Sequence, residues 1–290
     1  MKPVYKQFKF WAIGLATSWL ALFVLVPSSL LVISSFLSND IDNFVKLPLS
    51  VEGYQKAFDP LFLIVLWNSI KMAVIATLIC LVIGYPFAMI IATLPKRMRA
   101  FVLFLMILPF WTNSLVRIYA ISFFLGKKGL INQALLAVGL IDKPLDLLYT
   151  QFAVIFGLSY ILLPFMVLPL YSALDKLDVR MLEAAKDLGA NAIQRFFRIT
   201  IPLTLPGIIA GCLMVLLPAM GMFYVADLLG GGKNLLLGNV IKTQFIQTRD
   251  WPYGSALSVL LIGLLMLMLW AYMKSMQLVN RKGGINDSDF

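Results

Sequence analysis

Residues 72–95 read MAVIATLICLVIGYPFAMIIATLP, twenty-four positions without a charge, and Lys96-Arg97-Met98-Arg99 follows at once. A helix rises about 1.5 Å per residue, so this run is long enough to cross a hydrocarbon core of roughly 30 Å. The turn from Pro95 to Arg99 then marks a side, because short loops rich in Lys and Arg stay in the cytoplasm.

Similar runs lie on both sides of it. Charge-free stretches extend over Phe10–Asn39, Leu147–Leu174, Ile199–Ala226 and Trp251–Met273, and Ala100–Gly126 is interrupted by Arg117 alone. The reading is an all-α integral membrane protein of a single transmembrane domain over residues 1–290, with six spans near 11–36, 67–94, 100–125, 150–174, 203–228 and 254–275. Lys2, Lys6 and Lys9 precede the first run as in a signal peptide, but the run is too long for a signal core and has no convincing cleavage site, so it is expected to stay as an anchor. With the N-terminus inside, the inner segments hold fourteen Lys and Arg and the outer loops eight, Lys71 and Arg117 lying within spans. Both termini are therefore expected in the cytoplasm.

Composition agrees and excludes much. Hydrophobic residues make up 61% of the 290, charged residues only 13%, and the net charge of +10 reads as membrane topology rather than a nucleic-acid face. The chain contains no His, which removes Ser-His-Asp and Cys-His catalysis and His-ligated metals; no catalytic residue, metal site or bound cofactor is expected. Cys80 and Cys212 sit inside apolar runs and read as small core residues. Gly230-Gly231-Gly232-Lys233 does not make a phosphate loop, because Asp227 stands where the first Gly is needed and Asn234 where Ser or Thr is needed. No segment is large enough for a nucleotide-binding domain, so any ATPase is another chain.

The one long amphipathic stretch between spans lies in the predicted cytoplasmic loop 175–202. Asp178 is placed to cap a helix, Leu182, Ala185 and Leu188 fall on one face, and Gly189 suits a left-handed stop. A second helix is expected from Asn191, with Ile193, Phe196 and Phe197 on one side, ending where Pro202 interrupts it. Ala184 and Ala185 beside Glu183 let another protein approach closely, and the carboxylate offers a charge-assisted contact.

Glu183-Ala184-Ala185, then Gly189, Ile199 and Pro202, resembles the EAA motif of bacterial ABC importer permeases of type I; Ile201 departs from the Leu common there but keeps its apolar character. The resemblance implies that these six residues form the coupling helix seated on a dimer of ATP-binding subunits, which use ATP and Mg. It also implies a second, homologous permease subunit.

Two further stretches, Leu108 to Tyr119 and Arg249 to Gly254, together with Gly221 to Asp227, resemble the permeases of spermidine/putrescine importers, a likeness that runs from about Leu47 onward. It implies polyamine cargo, a periplasmic polyamine-binding protein and a bacterial inner membrane location. A flexible polycation suits aromatic faces and carboxylates, which Phe223, Tyr224 and Asp227 supply near the outer end of the fifth span. Pro109 kinks the third span, which places Trp111, Asn113 and Tyr119 along the path. Trp and Tyr also gather at membrane interfaces without touching cargo. Arg117 reads as structural, snorkelling or paired with a carboxylate, and Lys71 as snorkelling. A permease for another solute such as sulfate, iron(III) or thiamine shares the loop and stays open at this point. A self-sufficient secondary transporter fits less well, since no ion relay of buried carboxylates or His is present.

Overall fold

The computed structural model describes residues 2–40 and 45–282. The side chains of Lys2, Lys6, Lys9, Arg281 and Lys282, five of the cations used to orient the chain, lie outside those described. The helices are α1 (Lys2–Ser34), α2 (Glu52–Lys56), α3 (Pro60–Thr93), α4 (Lys96–Ile107), α5 (Ser114–Leu125) and α6 (Leu130–Ala137). They continue with α7 (Gln151–Asp175), α8 (Val179–Asp187), α9 (Ala192–Arg195), α10 (Ile201–Gly221), α11 (Phe223–Gly230), α12 (Leu237–Thr243) and α13 (Trp251–Lys282). A small antiparallel ribbon of β1 (Leu37–Ser38) and β2 (Lys46–Leu49) follows α1.

Among the described residues, five helical stretches are long and apolar enough to cross a membrane: within α1, α3, α7, the continuous run Ala192–Gly221, and the first three quarters of α13. A bent pair, Lys96–Trp111 with Ser114–Ala137, makes a sixth when counted as one span. The chain resolves into two compact units, one of residues 1–63 with 240–264 and one of residues 64–239 with 265–290.

In the first unit α1 is exposed along almost its whole described length, Leu15, Trp19 and Leu25 included, as expected of a helix whose solvent is lipid. Its C-terminal end is fixed by Ser35, whose hydroxyl lies 2.7 Å from that of Tyr54 on α2. Gly53 brings α2 against the start of α13, since a Cβ there would meet Ala256 at 3.2 Å and the Pro252 carbonyl at 3.3 Å. Asp250 starts α13 by accepting from the Tyr253 amide at 3.2 Å.

The second unit is built around α7, the most buried of the spans. Close approach depends on glycines facing it. A Cβ at Gly207 would meet Ala173 at 2.4 Å and the Pro169 carbonyl at 2.9 Å, and one at Gly211 would meet the Met166 sulfur at 2.8 Å. With lipid on the outside there is no hydrophobic drive to bring helices together, so this small-residue packing of α10 on α7 is what holds them. Gly84 of α3 also meets Met166, and elsewhere on α7 Gly157 admits Leu229 and Val225 of α11 with Ile118 of α5. Cys80 is fully buried, donating weakly to the Ser159 carbonyl, and Tyr85 bonds Thr204 at 2.8 Å within the apolar interior.

Two spans differ from their sequence reading. The third is not one helix from 100 to 125. The turn Leu108–Trp111 tightens to a 3-10 geometry around Pro109, Thr112 is extended, and Asn113 starts a new helix by accepting the Leu115 amide at 2.9 Å. Pro109 supplies the expected kink, and the cap at Asn113 turns it into a 91° restart. The fifth span begins well before 203, because Pro202 does not end the helix that Asn191 starts. Residues Phe196–Thr200 form a π-type turn, and Pro202 falls in the first turn of α10, where the widened register accommodates its missing N–H. At its other end α10 stops at Gly221, and α11 restarts after Met222.

Candidate functional site

The loop after α7 forms because each end of each helix has a local partner. The Asp178 carboxylate accepts the Arg180 amide at 2.9 Å and opens α8. At the other end Gly189 adopts φ +82°, a left-handed backbone that suits a residue without Cβ, and the Ala190 amide returns to the Ala185 carbonyl at 3.0 Å. Two residues later Asn191 and Gln194 cap each other's amides, at 2.8 and 3.0 Å, to begin α9. The predicted cap, stop and restart are all present.

α8 is strongly two-faced. Glu183 and Ala184 are exposed and Ala185 is half-buried, so the small residues and the carboxylate share an accessible surface. Gly189 is exposed with open space where a side chain would be. Ile199 lies half-buried in the π-type turn, and Pro202 is exposed. Leu182 and Ala185 turn inward as expected, but Leu188 is 88% exposed, because it occupies the C-terminal cap and has left the helical face. With Met181, Ile193 and Phe197 it makes an exposed apolar patch around the two short helices. Phe196 instead turns inward, edge-on to Tyr85 at 5.6 Å. Beside the loop a cavity of about 520 Å³ opens between Pro169, Ala173, Asp178, Pro206 and Tyr272.

The six residues read as a path fall into two groups. Trp111 is 78% exposed at the bend before α5, Tyr119 is exposed on α5, and the Asn113 side-chain oxygen is engaged in its cap. Phe223, Tyr224 and Asp227 lie together on α11, with the two rings edge-to-face at 6.1 Å. Both α5 and α11 pack on α7 through the Gly157 contact, so the structure brings the two helices, though not all six side chains, to one place. Arg117 packs its guanidinium on the rings of Phe110 and Tyr160, at 5.5 and 6.0 Å, and forms no ion pair among the described residues. Aromatic faces thus serve where a carboxylate partner was one expectation.

Residues that the sequence reading missed surround Asp227. Asn239, only 2% exposed, donates to the Asp227 carboxylate at 2.5 Å and to the Phe223 carbonyl at 2.9 Å, while its oxygen accepts the Leu236 amide at 2.9 Å. Ser69 of α3 accepts the neighbouring Leu237 amide at 2.8 Å. Among the charged groups outside the spans, Lys56 sits between Glu52 and Asp250 at 3.2 and 3.5 Å. Burial is the largest single influence on it and pulls its pKa down, but the two carboxylates together raise it above the ordinary lysine value.

An apolar bundle of this kind with a capped, two-faced loop defines an integral membrane transport subunit, and comparison with known proteins narrows it. Residues 84–282 match the family described as "Binding-protein-dependent transport system inner membrane component". The chain belongs to this family: it is a multi-pass inner-membrane permease component, not the ATPase. It is 54% identical to the spermidine/putrescine transport system permease protein PotB of Haemophilus influenzae, over 97% of this chain and 99% of that one. It is 56% identical to the protein of the same name from Escherichia coli, over 91% and 96%. Among solved structures, a chain of a bacterial alginate ABC transporter superposes with a TM-score of 0.74 at 18% identity, covering 93% of this chain and 94% of that one. That likeness shows the permease fold.

Proposed function

We propose that the chain forms part of the translocation path of an ATP-driven importer of spermidine and putrescine. The observation that carries the cargo is the similarity, above half identical over nearly the full length, to permeases named for those two polyamines. The loop 175–202 couples the path to ATP: Glu183, Ala184, Ala185, Gly189, Ile199 and Pro202 seat it on a pair of partner ATP-binding subunits, where ATP and Mg are used. A second homologous permease completes the path and a periplasmic polyamine-binding protein delivers cargo to its outer mouth.

Both termini and the loop lie in the cytoplasm, with six spans between. Support comes from the ion pairs. Arg99 with Asp175 and Lys56 with Asp250 each join two segments that the charge tally puts on the same side of the membrane. On the path, Phe223, Tyr224 and Asp227 meet the ammonium groups, while Trp111, Asn113 and Tyr119 line the way past the bend.

The test is reconstitution of the chain with its partner subunits in liposomes, following labelled spermidine and putrescine with and without ATP. Uptake is expected with ATP alone. Uptake without ATP removes the coupling reading, and ATP turnover stimulated by a different delivered solute, with no polyamine accumulated, removes the cargo.

A further inference from the structure

The groove between α5 and α7 contains a charge that the chain itself does not neutralise. Arg117, Ala120 and Phe124 are spaced along one face of α5, and Phe156 and Tyr160 stand one turn apart on α7. They rim a cavity of about 330 Å³ floored by the buried Ile121, and of its lining side chains only Arg117 and Tyr160 carry a polar atom. The Arg117 guanidinium lies over the rings of Phe110 and Tyr160, but a ring face attracts the charge without offering a lone pair to an N–H. All five guanidinium N–H donors therefore lack an acceptor among the described residues, and Nε is fully buried as well.

The depth of this groove limits what can meet the charge. With 25 residues α7 is about 37 Å long, somewhat more than a hydrocarbon core of roughly 30 Å. Tyr160 stands about 14 Å along α7 from its first residue, and Phe110 packs edge-on against Phe165, more than a turn further in. The guanidinium between Phe110 and Tyr160 is thus about 10 Å or more inside the core, beyond the reach of lipid phosphates, which lie outside it. Water is no better a complement, because a cavity walled by Ala, Ile, Leu and Phe side chains gives it few hydrogen bonds.

What fits is a carboxylate carried on an apolar helix. The carboxylate takes up the free N–H groups, and the helix fills the groove, where the small Ala120 between Arg117 and Phe124 allows close approach. A second copy of this chain would not supply that charge. Its long apolar runs contain no Asp or Glu, and Asp227, just past the fifth of them, is already bonded to Asn239.

We propose that this groove seats a transmembrane helix of the second, homologous permease subunit, and that an Asp or Glu of that helix forms an intersubunit ion pair with Arg117. The inference rests on the reading that such a subunit completes the path. The pair also selects the partner, since a homodimer would leave two guanidinium groups unpaired in the hydrocarbon core.

The test expresses the whole complex with a tag on this chain and measures the second permease that co-purifies, with the yield of the tagged chain as the check on folding. Arg117→Glu sets two carboxylates against each other and should lower the co-purified permease about tenfold or more, while Arg117→Lys, which keeps the charge, should lower it less than about threefold. In the Arg117→Glu background, changing the Asp and Glu residues of the second permease's spans to Arg one at a time should restore co-purification at one position. Restoration at none overturns the ion pair.

A second arm is independent of how Arg117→Glu folds. In a chain with Cys80→Ala and Cys212→Ala, Ala120→Cys should form a disulfide on mild oxidation with single Cys residues placed along one span of the second permease, recurring every three or four positions. No crosslink in an assembled complex, or a crosslink to a second copy of this chain, overturns the seat. If no second permease co-purifies with the unaltered chain, the pairing reading fails and this proposal with it. If it co-purifies equally with the unaltered chain and with Arg117→Glu, the proposal alone fails.

Discussion

The loop between α7 and α10 and the broken end of α10 are both built from capped short helices, but they are held in opposite ways. In the loop, the bonds that cap α8 and α9 join residues two to five apart, from Arg180 on Asp178 to Ala190 on Ala185, Arg195 reaches back to the Leu182 carbonyl within the same loop at 3.5 Å, and most of the side chains face outward. At the break, Asn239 reaches Asp227 and Phe223 on another helix, Ser69 reaches Leu237 across most of the chain, and Leu229 fills the notch at Gly157. Local capping makes a piece that keeps its shape while another protein pushes it. Tertiary packing makes a piece whose shape depends on the neighbouring helices.

The harshest way to break that contrast is to attack the packing. Gly207→Leu sets a branched side chain where even a Cβ would meet Ala173 at 2.4 Å and the Pro169 carbonyl at 2.9 Å. Overpacking of this kind costs about 1–3 kcal/mol or more, and here both neighbours include main chain or a short side chain that cannot turn away. The variant is expected to lose most of its detergent-stable complex, with α8 and α9 remaining helical only in what survives. Gly221→Ala, at a glycine with open space around it, should assemble at native yield. Equal yields for the two would show that close approach of α10 to α7 is dispensable.

Next in size are changes that spare the packing and strike the loop. Glu183→Arg reverses the charge on the exposed face of α8, and Gly189→Asp puts a side chain on a backbone at φ +82°. If the loop carries the coupling as proposed, each is expected to lower ATP-dependent uptake more than about tenfold, while the ratio of spermidine to putrescine uptake stays as it was. ATPase stimulation and that ratio are the two readouts. A changed ratio with normal stimulation would sink the division of labour between loop and path.

This division also governs what could be read in the sequence. Asp178, Gly189 and Asn191 were legible because a cap, a left-handed stop and a helix start are written within a few residues of the helix they bound. The spans were legible because lipid makes a demand on every residue of a run. The 91° restart at Asn113 was half visible: Pro109 announces a kink, but the direction depends on how α5 meets Gly157 of α7. Pro202 misled, because a proline that normally ends a helix is accommodated by the π-type turn just before it. Asn239 carried no local sign at all. Its three partners lie 3, 12 and 16 residues away, so an Asn among Leu, Gly and Val reads as an ordinary loop residue until the fold buries it.

A smaller effect tests the orientation common to both regions. Arg99 at the start of α4 and Asp175 at the end of α7 form an ion pair that is half-exposed, which limits its worth to about 1 kcal/mol or less. Arg99→Asp should therefore lower uptake a few-fold at most, and adding Asp175→Arg should recover it. The more informative readout is labelling: a Cys placed at 97 and one placed at 180 should both react with an impermeant reagent from the cytoplasmic side alone. Labelling of the two from opposite sides would break the topology.

The smallest effect falls on the capping of α8 itself. Removing a side-chain N-cap costs about 1 kcal/mol, and Asp178→Ala removes the acceptor of the Arg180 amide without touching the exposed face of α8 that is proposed to meet a partner. A nine-residue helix is too short to be stable alone, so most of that loss should appear as local opening. Amide exchange over residues 179–187 should accelerate about fivefold while exchange in α7 and α10 is unaltered. Adding the ATP-binding partner should restore most of the protection, because a partner that binds only the helical form repopulates it. If exchange accelerates equally in α10, the loop is not the self-contained piece that its short-range bonds describe, and the contrast with the packed end of α10 fails.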